Sequence, residues 1–102
     1  MARREFIIQS REEAREGGLA PLGSRREIEA SLASRNTAPE SAGGNRLYGP
    51  GFEIDLAPDQ DPVVQMLLSV SDEDIAWNVI LRVGRELQWK IVDPNTGRAL
   101  SP

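Results

Sequence analysis

The chain contains no cysteine and no histidine. Disulfide staples, thiolate nucleophiles, Cys/His zinc sites and imidazole acid–base catalysis are therefore closed to its own side chains. No stretch approaches the ~18 consecutive apolar residues of a membrane helix. The apolar run near the start, Phe6-Ile7-Ile8 behind Arg3 and Arg4, is too short for the core of a secretory signal. A cytoplasmic protein without membrane contact is the expectation. Lysine is reduced to Lys90. Any catalysis would have to rest on carboxylates, serines, arginines, Tyr48 or that one lysine.

What is present is ordinary for a globular protein. The 102 residues are 39% hydrophobic and 27% charged, which suits one domain. The net charge of −4 is unevenly spread. Residues 1–50 hold 8 Arg against 7 Glu, whereas residues 51–102 hold 4 cations against 9 acids. An acidic second half opposes nucleic-acid binding. In the first half interleaved Glu nearly cancels the Arg, the pattern of a solvated helix face.

The same division appears in the apolar pattern. Glu5 to Gln9 is compatible with a short strand. Ser10-Arg11-Glu12-Glu13 has the form of a capping box, but only Ala14 follows it as an apolar residue before Gly17-Gly18. Ser24-Arg25-Arg26-Glu27 is a better capping box. It precedes Ile28 and Leu32, four apart on one helix face, and predicts a helix at about 24–35. Thr37 to Asn45, with Pro39 and Gly43-Gly44, reads as a flexible connector, and Tyr48-Gly49-Pro50-Gly51 as a turn.

From residue 51 onward the periods become regular. Phe52, Ile54 and Leu56 alternate with Glu53 and Asp55 as a half-buried strand. Pro58 to Pro62 is a tight turn. Val64, Met66, Leu68 and Val70 then form one face of a second strand, whose other face carries Val63 and Leu67 beside Gln65 and Ser69. Apolar residues on both faces suggest a position near the sheet centre. Ser71-Asp72-Glu73-Asp74 is an N-cap signal with acids at the positive end of the helix dipole. Ile75, Ala76, Val79, Ile80, Val83 and Leu87 make a helical stripe behind it, with Gly84 weakening or ending the last turn. Leu87, Trp89 and Ile91 alternate as a third strand. Asp93 to Gly97 has the residues of a turn, and Arg98-Ala99-Leu100 is a candidate edge strand.

The expectation is thus an α+β fold. An N-terminal arm over 1–50, with its helix at about 24–35, precedes a compact unit over 51–102 of order β-β-α-β with a possible further strand. The small sheet would carry the helix on one face, and the strands flanking that helix would be parallel, joined by a right-handed crossover. The alternative is a mostly-β meander, because Trp77, Val79, Leu81 and Val83 also alternate with period 2.

No motif for catalysis or ligand binding stands above background. Asp55, Asp59 and Asp61 flank a turn but fail the EF-hand pattern in glycine and terminal glutamate. Asp72, Glu73 and Asp74 are explained by the helix dipole and would repel a phosphate. Arg46 and Tyr48 beside Gly49-Pro50-Gly51 suit a packed turn. Trp77 and Leu81 lie on the flank of the helical stripe and form the candidate interface; aromatic residues are enriched at interface anchors. No cofactor, metal or catalytic residue is assigned. The leading expectation is a non-enzymatic protein-interaction or oligomerisation module, a homodimer or a binder of another protein. The second is a small-molecule-binding regulatory domain with a pocket between the sheet and the N-terminal helix. The third is a carboxylate- and metal-dependent enzyme.

Overall fold

A computed structural model describes residues 4–11, 18, 20–39 and 44–100. Its first element is a strand, β1 (Arg4–Ser10), and this strand lies inside the sheet. It pairs antiparallel on one side with β5 (Gln65–Val70) and on the other with β6 (Trp89–Val92). Phe6, Ile8 and Ser10 point inward and are buried, while Glu5, Ile7 and Gln9 face the other way. The expected order, helix and arm before the first strand, is therefore corrected. The partners of β1 lie some sixty and eighty residues away, so nothing local in the sequence marks its place. The possible helix after Ser10 falls outside the described residues.

The first helix, α1 (Arg25–Ala33), starts at the second capping box. The Ser24 hydroxyl accepts from the Glu27 backbone N–H at 3.1 Å, and the Ser24 N–H donates to the Glu27 carboxylate at 3.2 Å. Two orphan donors of the first turn are thereby satisfied. Ile28 and Leu32 are the residues α1 buries. The chain turns through Asn36, at φ 60°, and Thr37 is wholly buried with its N–H on the Leu32 carbonyl.

Two short strands follow where a connector and a turn were expected, β2 (Ala38–Pro39) and β3 (Arg46–Gly49). β3 pairs with β4 (Phe52–Leu56) through the Gly49–Phe52 turn. A Cβ on Gly49 would lie 2.3 Å from the Phe52 ring, so only glycine leaves room for that ring. Gly51, at φ +77°, sends its carbonyl to the Ser71 and Asp72 N–H groups, pinning the turn to the end of β5. The hairpin of β4 and β5 has the expected strands and turn.

The second helix, α2 (Glu73–Leu87), overturns the meander alternative. Glu73 and Asp74 occupy its first turn, although the Asp72 N-cap side chain makes no capping bond. Ala76, Ile80, Val83 and Gly84 are buried. Gly84 does not end the helix. A Cβ there would come within 3.3 Å of the Trp89 carbonyl, so its lack of a side chain lets β6 pass beneath. The helix ends at Gln88, in the left-handed region at φ 61°. β7 (Ala99–Leu100) closes the chain as an edge strand on β6.

Among the described residues the sheet has seven strands in the order β2-β3-β4-β5-β1-β6-β7, every neighbouring pair antiparallel. This is larger than the three or four strands expected. β5 and β6, which flank α2, are parallel to each other as anticipated, but β1 is inserted between them. Both helices lie on one sheet face. Leu32 of α1 and Ile80 and Val83 of α2 meet Ile8, Phe52, Ile54, Trp89 and Ile91 around a residual space of only about 10 Å³.

Candidate functional site

Because side chains alternate along a strand, the register lays out the second sheet face residue by residue. Its middle row runs Arg46, Asp55, Leu67, Ile7, Val92, Ala99 across six strands. One row toward the start of β1 lie Tyr48, Glu53, Ser69 and Glu5. One row toward its end lie Gln65, Gln9 and Lys90. No element covers this face among the described residues. Leu67 keeps 37% of its surface exposed and Tyr48 38%, and Ile7 and Val92 are half-buried.

The face is chemically banded. The Gln65–Gln9–Lys90 row is rich in N–H donors, with Gln9 donating to Gln65 at 3.4 Å. The Glu53–Ser69–Glu5 row carries carboxylates, with Ser69 buried between them. The apolar row separates the two. On β3 Arg46 donates to Asp55 at 2.7 Å and stands 3.6 Å from Glu53. The hydrogen bond and charge of Asp55 raise the guanidinium pKa above its ordinary value. That pairing neutralises Asp55, so the middle row offers apolar surface from Leu67 onward. A shallow depression of about 310 Å³ opens beside Leu67, lined by Ile7, Asp55, Ala57, Gln60 and Gln65 among others.

The candidates read from the sequence are dispersed over the molecule. Asp55 is held by Arg46 on the open face. Asp61 accepts from the Arg25 backbone N–H at 3.1 Å and, with Asp59, borders an open hollow beside Arg25 and Asn45. Arg25 itself binds the Asn45 side chain and lies 3.4 Å from Glu29. Glu73 pairs with Arg4 at 2.7 Å. Among the described residues no three acids gather in a way that would hold a metal ion. The Asp93–Gly97 turn is closed by its own bonds: the Asp93 carboxylate accepts from Asn95 and its carbonyl from Gly97.

Trp77 and Leu81 are on the helical side, both partly buried against the core. The Trp77 ring meets Phe6 of β1 edge-on, centroids 5.0 Å apart at 77°. The ring thus packs on an inner strand of the sheet. Ile75, two residues before Trp77 in the same helix, is 52% exposed.

The row through Leu67, Ile7 and Val92 is the feature that sequence reasoning missed. Its signal was present in the second apolar face of residues 63–70 and in the unbroken run Phe6-Ile7-Ile8. No family model, curated protein or solved structure matches the chain. The site is therefore read from its own geometry.

Proposed function

We propose that this protein is a non-enzymatic protein-interaction module whose working surface is the open face of the sheet. One observation carries the reading. Both helices pack on the same side, and the other side presents Leu67, Ile7 and Val92 contiguously on three adjacent strands. Contiguous exposed apolar surface rimmed by polar groups marks interaction sites, whereas scattered apolar residues do not. Trp77 and Leu81, engaged by the core, are the lesser surface. The space between helices and sheet is at the lower limit of what a single water requires, roughly 10–15 Å³, so nothing there favours a small-molecule pocket. Among the described residues the open face sets three acids against two cations, Glu5, Glu53 and Asp55 with Arg46 and Lys90, a balance that disfavours a phosphate backbone as partner. A cytoplasmic setting belongs to the same reading; among the described residues no helix is long and apolar enough to cross a membrane.

The test is site-specific photo-crosslinking in the cells that make the protein. Benzoylphenylalanine replaces Leu67 in one variant and Arg82, exposed on α2, in another. A defined adduct at position 67 with none at 82 is expected. Absence of any adduct at 67 overturns the proposal.

A further inference from the structure

We infer that the occupant of the open face is a second copy of this chain, related by a two-fold axis that runs across the strands along the Leu67–Ile7–Val92 row. The inference rests on the interaction reading above and identifies the partner.

The argument is one of self-complementarity. In a two-fold interface the same patch serves both subunits, so a residue at one position must suit the residue the symmetry brings to it. An axis along the middle row lays that row on itself: Leu67 on Leu67, Ile7 on Ile7, Val92 on Val92, and at the β3–β4 end each Arg46–Asp55 ion pair over its twin. It also places the row at one side of each face over the opposite row of its twin. Here those two rows are opposites. One carries Lys90 and the amides of Gln9 and Gln65; the other carries Glu5 and Glu53. Each Lys90 ammonium then comes beside the Glu5 carboxylate of the other copy, and each Gln9 amide faces the same carboxylate. Among the described residues neither Glu5 nor Lys90 enters an ion pair within its own chain. Both charges are available for this contact.

An axis along the strands lacks this match. It would set Lys90 over the Ala57 end of β4 and leave the acidic row opposite itself. Like charges placed together at an interface are costly and select against that arrangement. Six strands about 4.8 Å apart, two to seven residues long at about 3.3 Å each, give a face of about 24 by 15 Å, small beside the ~800 Å² of accessible surface each partner buries in a standard interface. Face-to-face sheets pack with their strands within about 30° of each other, which an axis close to perpendicular to the strands allows.

Sedimentation velocity on the full chain, with Lys90→Glu, Glu5→Lys and the double variant, tests the inference. The wild type is expected to be dimeric at roughly tens of micromolar, the weak association of a small interface. Each single reversal should weaken the dimer about tenfold or more, and the double variant should recover most of the loss, as paired charges do in a mutant cycle. Far-UV circular dichroism of each variant confirms that the sheet is retained. A second readout uses the absence of native cysteine. Leu67→Cys should give a covalent dimer with a short bis-maleimide that spans the ~10 Å between packed sheets, and an exposed Arg82→Cys should not. A wild type that stays monomeric, or single reversals without effect, overturns the self-pairing. If photo-crosslinking at position 67 then captures a different protein, the interaction reading stands and the twin copy does not. If it captures nothing, both fall.

Discussion

Replacing Phe6 by alanine tests whether the first strand belongs to the core. Phe6 is 1% exposed and sits across from Leu68 in the centre of the sheet. Its ring takes the edge-on contact with Trp77, and the Arg4 guanidinium lies 5.0 Å from its centroid. Truncating a buried phenylalanine costs about 3–5 kcal/mol, lost transfer energy and residual cavity together. The aromatic pair accounts for about 1 kcal/mol of that. Arg4 is half exposed, so its contribution is small beside the others. A loss of about 4 kcal/mol is a large part of the 5–15 kcal/mol that holds a domain together. For a chain of this length it lowers the Tm by about 15–30 °C. Phe6→Leu keeps most of the volume and removes the ring, and should cost only about 1–2 kcal/mol. Urea unfolding read by tryptophan fluorescence and by far-UV circular dichroism gives both values. Protein concentration is held fixed, because association shifts apparent stability. A cost for Phe6→Ala below about 0.5 kcal/mol, the range of ordinary surface changes, refutes the interior placement of β1.

Two further substitutions probe local devices. Ser24→Ala removes the hydroxyl half of the capping box and should cost about 1 kcal/mol in the same unfolding assay; no change would mean that α1 does not depend on its cap. Gly49→Ala drives a methyl group into the Phe52 ring and should cost about 1–3 kcal/mol by overpacking. Adding Phe52→Leu should return part of that loss, and a double variant worse than the sum of the two would contradict the contact.

The elements that could be read from the sequence are those whose determinants are local. Ser24 and Glu27 mark the start of α1 within four residues. Phe52, Ile54 and Leu56 show the period of β4 in a five-residue window. The acids at 73 and 74 and the stripe through Ala76, Ile80 and Val83 decided for helix at α2. What escaped depends on distant partners. β3 has one inward apolar residue, Leu47, between Arg46 and Tyr48 and close to Gly49-Pro50-Gly51, so its composition reads as a turn. It becomes a strand because β4 supplies the ladder and Phe52 lies over Gly49. β1 has strand composition but so short a run that only β5 and β6, pairing on both sides, make it an inner strand of the sheet. Gly84 misled for a related reason. Within the helix it looks like a weak point, but across the fold it is the gap through which Trp89 passes.

The open face was hidden for a deeper reason. An antiparallel sheet can leave one side to water provided its outward residues are polar. β4 obeys this with Glu53 and Asp55. Each of β5, β1 and β6 breaks it once, at Leu67, Ile7 and Val92, and single exposed apolar residues of that kind are common on any protein surface. Taken strand by strand they carry no message. Their meaning comes from register: the three exceptions fall on adjacent strands and in the same row, with donors on one side and carboxylates on the other. Unrelated lapses in patterning have no reason to align across segments sixty and eighty residues apart in the chain. An aligned row does have one if something packs along it. The helices could have supplied that cover only by dividing between the two faces, and both are committed to the same one by Leu32, Ile80 and Val83. Among the described residues nothing covers the apolar row, so it is covered from outside them or remains wet, which is the alternative that cross-linking at position 67 and the Lys90–Glu5 charge exchange decide.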